Sequence, residues 1–178
     1  MADYKEKEGE EAESDPSLSS EDNDPFKIRC ETLSLSPISH TWIPVLSNID
    51  SFYRFPEPIT GFMRAALRRP AIYRWKISHQ NGTTDYYIGE TEELCPRRIY
   101  HYLKPGPSQV TNRRVNELFV SRIRQGATVT VDFLYFEPFS VGDLVINQES
   151  LADSHIRKFL EELFIVLMMA KGDILLNR

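Results

Sequence analysis

The chain has 178 residues, with 21 Lys and Arg against 26 Asp and Glu, and its net charge is −5 when the histidines are neutral. Residues 1–25 hold ten acidic and two basic side chains, whereas residues 64–124 hold twelve basic and five acidic ones, so the acidic average does not exclude nucleic acid as a partner. The short apolar runs, the acidic N-terminus and two distant cysteines exclude a membrane span, a secretory signal, a disulfide framework and a cysteine-rich zinc site. We therefore expect an intracellular, soluble protein with no membrane partner.

We predict no independent domain within residues 1–69. Residues 1–25 combine high charge, Ser and Pro with almost no large apolar side chain, and we expect them to form a disordered acidic tail. Residues 26–69 contain apolar side chains without a sustained period, which favours an N-terminal extension packed on the domain that follows. We expect one short strand or helix before residue 58 and a short helix over residues 59–67.

Residues 70–178 carry the clearest pattern. Residues 72–77 and 85–88 are aromatic and β-branched and flank Gln80-Asn81-Gly82, which predicts two strands joined by a tight turn. The elements predicted after them are a helix from Pro96 through 97–103, a helix over 112–124, a strand over 128–136 and a helix beginning near 150–154. This order predicts an α/β (α+β) domain, with a small, mainly antiparallel sheet of about three strands flanked by helices.

The last predicted helix has a broad apolar side and a narrow polar side. The residues predicted to be buried are Ile156, Phe159, Leu160, Leu163, Phe164 and Leu167. The polar side consists of Arg157, Lys158, Glu161 and Glu162. Helical angles do not separate Glu161 from Glu162, so both stay candidates for a functional carboxylate.

Two short motifs lie on the predicted hairpin. The first is Ala71-Ile72-Tyr73 and the second is Tyr87-Ile88-Gly89, with Arg97 ten residues after Tyr87 and His101 four residues after Arg97. With both motifs at hairpin spacing and both offsets matched, residues 71–101 resemble the GIY-YIG nuclease superfamily, with Ala where the family usually has Gly. The resemblance implies a GIY-YIG-like fold and a divalent-metal-dependent DNA endonuclease that hydrolyses phosphodiester bonds.

The resemblance also implies roles for single residues. The segment around Glu161 is similar to the family's carboxylate segment on its final helix, so Glu161 is the expected ligand of Mg²⁺ or Mn²⁺. Arg97 and Tyr87 would contact the scissile phosphate, and Tyr73 with His101 would activate the attacking water. The remaining expectations are auxiliary roles for Lys76 and Asn177 and DNA contacts for Arg74, Arg98, Arg113 and Arg114.

Elementary chemistry supports this grouping. Arg97 and His101 are four residues apart on one predicted helix, so their side chains share a face. An imidazole with a pKa of roughly 6.5 accepts a proton near neutrality, whereas a phenol with a pKa near 10 needs assistance. Mg²⁺ suits a site with one carboxylate because it keeps several waters and takes phosphate oxygens as further ligands.

A shared site requires a particular hairpin register. A two-residue turn at Asn81-Gly82 would pair Tyr73 with Glu90 and place Tyr73 and Tyr87 on opposite faces of the sheet. A three-residue loop with Gly82 in the left-handed conformation pairs Tyr73 with Gly89 and places both tyrosines on one face. We therefore predict the three-residue loop or a β-bulge.

Several interpretations stay open at this point. Arg98 adjoins Arg97 and is an alternative to it. A catalytically silent module that binds nucleic acid or a protein through the same surface is an alternative to the endonuclease, and a third hypothesis makes the acidic tail an arm that covers the basic surface. The absence of a recognisable second domain favours a restriction-type or stand-alone nuclease, while the DNA specificity and the oligomeric state are left undetermined.

Overall fold

The main β-sheet joins strands from both ends of the described chain. The computed structural model describes residues 37–177, so the disordered tail predicted for residues 1–25 lies outside the described residues, as does the start of the extension. The strands are His40–Pro44 (β1), Leu46–Asn48 (β2), Ser51–Phe52 (β3), Ala71–Ser78 (β4), Thr84–Thr91 (β5), Thr128–Phe136 (β6), Phe139–Val141 (β7), Leu144–Ile146 (β8) and Ile174–Leu175 (β9). The helices are Gly61–Ala66 (α1), Ile99–Leu103 (α2), Val110–Arg124 (α3) and Ser154–Ala170 (α4), with a wide helical turn at Leu94–Arg98 and a 3₁₀ turn at Glu149–Ala152.

Within residues 37–177 this sheet has five strands in the order β1-β6-β4-β5-β9. All neighbours are antiparallel except β5 and β9, which are parallel. The predicted mixture of helices with a mainly antiparallel sheet is confirmed, but about three strands is too few. Strand β1 shows no clean alternation of buried and exposed residues, and β9 is only two residues long, so neither carries a strand pattern that the sequence could reveal.

The hairpin between β4 and β5 has the predicted register. Tyr73 pairs with Gly89 and Trp75 pairs with Tyr87, as the three-residue loop requires. Gly82 has a φ of 84° and closes the loop in the left-handed region, where Gly is the favoured residue. Both motif tyrosines therefore lie on the same face of the sheet.

The two faces of the sheet are buried by different helices. The side chains of Tyr73, Trp75 and Ile77 form one core with α2 and α3, to which Tyr102 and Phe119 contribute. On the opposite face, the side chains of Ile72 and Ile88 form a second core with α4 through Leu160, Phe164 and Met168. Because side chains alternate along a strand, β4 and β5 serve both cores at once.

Helix α4 differs in two positions from its predicted pattern. Phe159 is 39% exposed rather than buried, and Arg157, which the pattern assigns to the polar side, is only 7% exposed. Arg157 is buried because it forms hydrogen bonds inside the protein, and a hydrophobicity pattern does not detect such bonds. The helix begins at Ser154 and is capped by Asp153, whose side chain accepts a hydrogen bond from the His155 amide at 2.6 Å. No helix within residues 37–177 is long and apolar enough to cross a membrane.

Candidate active site

The candidate site lies at the outer edge of β5. In the described part of the chain, β9 pairs with β5 at Asp85 and Tyr86 and extends no further along it. The next outward backbone groups belong to Ile88, whose amide donates to the Asn177 side chain at 2.9 Å and whose carbonyl accepts from it at 2.7 Å. The Asn177 side chain thus replaces a strand residue and satisfies both groups of an otherwise open edge.

Two functional groups from opposite faces of the sheet meet at Glu90. Arg98 donates from Nη2 to the Glu90 carbonyl oxygen at 3.0 Å. Glu161, which comes from α4 on the other face, lies close to Glu90, whose backbone amide favours the charged form of the Glu161 carboxylate and whose own carboxylate opposes it. The edge of β5 therefore brings the carboxylate expected on the last helix next to an arginine of the segment that follows the second motif.

Tyr73 lies fully buried behind this edge. Its hydroxyl is 2.8 Å from the hydroxyl of Tyr102, and its ring lies across Gly89, its partner on β5. A Cβ atom at Gly89 would collide with the Tyr73 hydroxyl, which explains in this protein why a motif ending in Tyr is matched by one ending in Gly. Tyr87 is half-buried on the same face, with its ring centroid 6.2 Å from that of Tyr102.

Arg98, not Arg97, faces the phenols. The Arg98 guanidinium lies 5.6 Å from the Tyr73 ring centroid and 5.7 Å from the Tyr102 ring centroid. The Arg97 side chain is 60% exposed and pairs with Glu92 at 3.3 Å. Counting residues from Tyr87 does not predict which of the two arginines faces the phenols. The wide helical turn Leu94–Arg98 departs from regular helix geometry, so the direction of each side chain does not follow from its position in the sequence.

The titratable side chains of the site are shifted by burial. Burial raises the pKa of Tyr73 and of Tyr102 above that of an ordinary phenol, so both keep their protons at neutral pH. Burial, followed by the charges of Arg98 and Arg97, lowers the pKa of His101 below 6.5. His101 is therefore a neutral imidazole at pH 7 and is able to accept a proton.

The pKa of Glu161 is raised, mainly by burial and then by neighbouring carboxylates. Burial, then Glu90 and Glu162, raise its pKa to about 7, against the opposing effects of Arg98 and of the Glu90 amide. Arg98 and the Glu90 amide thus do not offset the cost of charging this half-buried carboxylate. A divalent cation would do so, and in that respect the residues fit Mg²⁺ or Mn²⁺.

Glu161 is not part of a dense cluster of metal ligands. Among residues 37–177, no group of three or more His, Cys, Asp or Glu side chains is arranged to hold a metal ion. A Mg²⁺ ion bound by one carboxylate, by waters and by phosphate oxygens does not require such a group. Glu161 is half-buried and Glu162 exposed, so Glu161 is the member of the pair that faces the site.

A cleft of about 250 Å³ opens next to this edge. Its lining residues are Glu90, Thr91, Glu92, Arg97, Arg98, His101 and Arg157. Two of the three arginines are paired with acids, Arg157 with Glu90 and Arg97 with Glu92, whereas Arg98 binds only a backbone carbonyl among the hydrogen bonds of the described residues. Among the described residues Arg98 forms no salt bridge within 4 Å, and the cleft presents its guanidinium together with the neutral imidazole of His101.

The other predicted basic residues lie away from the phenols. Lys76 and Arg74 are on the opposite face of the sheet, where both contact Asp132, at 3.8 Å and 2.9 Å. Arg113 is on α3 and donates to the carbonyl of Pro107, and Arg114 is exposed on the same helix. The structure thus does not bring these four residues to the edge of β5.

The sequence alone does not identify three residues of the site. Tyr102 holds the Tyr73 hydroxyl, Glu90 provides the backbone groups for Arg98 and Glu161, and Arg157 pairs with the Glu90 side chain at 2.6 Å. The available signal was spacing, since Tyr102 lies four residues after Arg98 and Arg157 four residues before Glu161. Comparison of the chain with protein-family models, with curated proteins and with solved structures found no match in any of the three.

Proposed function

We propose that this protein is a divalent-metal-dependent DNA endonuclease of the GIY-YIG type, which hydrolyses phosphodiester bonds. The observation that carries the proposal is that Arg98, which donates to the Glu90 carbonyl, and Glu161, whose pKa is affected by Arg98 and Glu90, lie together beside the phenols of Tyr73 and Tyr87. A guanidinium and a half-buried carboxylate at one strand edge combine a binding point for a phosphate with a ligand for a cation. Phosphodiester hydrolysis needs both.

Arg98 is the phosphate-binding residue of this proposal, in place of the expected Arg97. Its Nε is buried and has no hydrogen-bond acceptor among the described residues. A buried donor without an acceptor is costly, and a small shift of the Arg98 side chain toward a phosphate oxygen in the cleft would satisfy it. Tyr87, half-buried beside it, is the second group that contacts the phosphate.

Proton transfer is assigned to His101 rather than to Tyr73. The neutral imidazole of His101 takes a proton from the attacking water, whose oxygen then bonds to phosphorus while the bond to the leaving oxygen breaks. The leaving oxygen takes its proton from the histidine or from solvent. Tyr73 keeps its own proton and, held by Tyr102, fixes the packing behind the site. A bound Mg²⁺ or Mn²⁺ supplies positive charge to the phosphoryl oxygens.

A catalytically silent nucleic-acid-binding or protein-interaction module is the second candidate. The observation that favours it is the complete burial of Tyr73, whose hydroxyl is engaged by Tyr102 rather than turned toward the cleft. In such a module the same edge would hold a phosphate or an acidic side chain through Arg98 without reaction. DNA binding without cleavage under any metal condition is the result that would favour it.

The deciding experiment is a cleavage assay on supercoiled plasmid, linear duplex, branched and single-stranded DNA with Mg²⁺ or Mn²⁺. We expect cleavage of at least one substrate by the unaltered protein and its loss in Glu161→Gln. Glu162→Gln is the matched control, because this neighbour is exposed. Full activity of Glu161→Gln would contradict the metal assignment, and retention of DNA without cleavage by the unaltered protein would favour the silent module. Comparison of the four substrates also addresses whether the enzyme acts as a restriction-type or another stand-alone nuclease.

A further inference from the structure

Arg157 is the buried charge of helix α4. It is 7% exposed, and its Nε donates to Glu90 Oε2 at 2.6 Å. Its Nη1 donates to the carbonyl oxygens of Leu151 at 2.8 Å and Ala152 at 3.0 Å. A buried guanidinium is stable only when it is paired and hydrogen-bonded, and Arg157 meets that condition through one strand residue and the turn before its own helix.

The hydrogen bonds of Arg157 join helix α4 and the turn before it to Glu90 of strand β5, which also binds Arg98. The Glu90 side chain points to the α4 face, while its backbone carbonyl accepts a hydrogen bond from Arg98 and its amide favours the charged form of the nearby Glu161 carboxylate. Arg157 precedes Glu161 by one helical turn, so both side chains leave the same side of α4 toward the same residue of β5. The position of Glu161 along the strand edge therefore depends on where Arg157 is anchored.

We propose that Arg157 is a positioning residue for the site: it anchors α4 to Glu90 and thereby holds Glu161 against the edge of β5. The same ion pair occupies the Glu90 carboxylate, so Glu161 rather than Glu90 would hold a divalent cation. This inference rests on the proposed function for its effect on catalysis, but the anchoring itself is independent of it. Arg157 contacts no reacting atom.

The anchoring is tested by hydrogen exchange of the Glu90 amide, followed by NMR in the absence of metal and DNA. That amide interacts with the Glu161 carboxylate. If Arg157 holds Glu161 there, Arg157→Met should speed its exchange about five- to tenfold, the factor that corresponds to one net hydrogen bond, and Glu161→Ala should do the same. The amide of Trp75 in the central strand β4 is the reference for global opening. Lys158→Met, an exposed neighbour on the same helix, should leave the Glu90 amide unchanged.

The conservative variant separates positioning from simple loss of stability. Arg157→Lys keeps the charge but cannot reach Glu90 and both carbonyls together, so its Glu90 exchange should lie between those of the unaltered protein and Arg157→Met. If Glu90 exchange rises only in proportion to that of Trp75, Arg157 stabilises the fold and does not position Glu161, and the inference is overturned. Unchanged Glu90 exchange in Arg157→Met overturns it equally.

The consequence for catalysis is measured separately. Arg157→Met should weaken Mn²⁺ binding, measured by electron paramagnetic resonance, about tenfold or more, and lower kcat with little change in the KM for DNA. A rise in KM with unchanged kcat would show that Arg157 acts on DNA binding instead. If the unaltered protein does not cleave DNA, the proposed function fails, while the exchange of the Glu90 amide still decides the positioning role.

Discussion

Two arginine–carboxylate pairs lie on the α4 face of the sheet, and they join different parts of the fold. Arg74 and Asp132 face each other on the adjacent strands β4 and β6, with their charged atoms 2.9 Å apart. The Arg74 guanidinium lies 4.6 Å from the Trp42 ring centroid and 5.1 Å from that of Tyr86. The second pair, Arg157 and Glu90, joins a helix to the edge strand β5 at 2.6 Å.

The two pairs should therefore have different roles: one stabilises the fold, and the other positions a helix on the sheet. The strands β4 and β6 are already registered by backbone hydrogen bonds, so the Arg74 pair adds energy to an arrangement that the backbone determines. A helix packs on a sheet through side chains alone, and its position is determined by those contacts. The Arg74 pair should therefore matter for the free energy of unfolding, and the Arg157 pair for the location of Glu161.

The largest expected effect is the loss of the central pair. Asp132 is 2% exposed, so Asp132→Ala leaves Arg74 and Lys76 without their carboxylate and should lower the free energy of unfolding by about 3–5 kcal/mol, measured by urea denaturation. DNA cleavage per folded molecule should be unchanged. The double variant Arg74→Met with Asp132→Leu should recover most of the stability, because no unpaired charge is left. Loss of activity in a well-folded Asp132→Ala protein would contradict the separation of the two roles.

The next effect concerns the two neighbouring arginines of the cleft. Arg98→Ala should reduce the cleavage rate by about 10²–10³-fold, because it removes the guanidinium that faces the phosphate position. Arg97→Ala should change the rate far less, since its exposed pair with Glu92 contributes at most about 1 kcal/mol. Rates are compared at saturating Mg²⁺ and DNA. A larger loss in Arg97→Ala than in Arg98→Ala would restore Arg97 as the functional residue.

The sequence predicts the central strands, where the residue pattern is regular or where the two motifs determine the register. The hairpin register follows from requiring Tyr73 and Tyr87 on one face, and β6 agrees with its predicted range of 128–136. Short or edge strands such as β1 and β9 carry too few residues, or too little alternation, to be recognised. Local patterns therefore predict the central hairpin but not the strands that complete the sheet.

The candidate site is less predictable because its residues depend on tertiary contacts. The choice of Arg98 over Arg97 depends on the geometry of one irregular turn, and the selection of Glu161 over Glu162 depends on how α4 sits on β5. The sequence pattern places Arg157 on the polar side of the helix because a hydrophobicity pattern treats every charge as exposed, whereas the side chain is buried. The burial of a charged side chain by a specific partner can be predicted only when the position of that partner in the fold is known.

A smaller effect tests the packing at the edge of β5. In Gly89→Ala the new Cβ would collide with the Tyr73 hydroxyl, and the resulting shift should destabilise the protein by about 1–3 kcal/mol and reduce activity. Gly61→Ala is the matched control, because nothing lies within 4 Å of its Cβ position, and it should be neutral or stabilising by up to about 1 kcal/mol. Both are measured by urea denaturation. Equal stabilities of the two variants would show that the edge can yield to an extra methyl group.

The smallest expected effect is the pH dependence that Glu161 gives to the metal-free protein. Its pKa is about 7 in the folded protein and near 4.3 in an unfolded chain, so between these values the folded state binds the extra proton. Stability in the presence of a chelator should therefore fall as the pH rises from about 4.5 to 7, while Glu161→Gln should lack this part of the slope. Partial solvent screening keeps the difference small. Mg²⁺ at pH 8 should raise the Tm of the unaltered protein more than that of Glu161→Gln, because the cation replaces the proton that Glu161 has lost. Parallel curves of stability against pH for the two proteins would argue against a site that needs added positive charge.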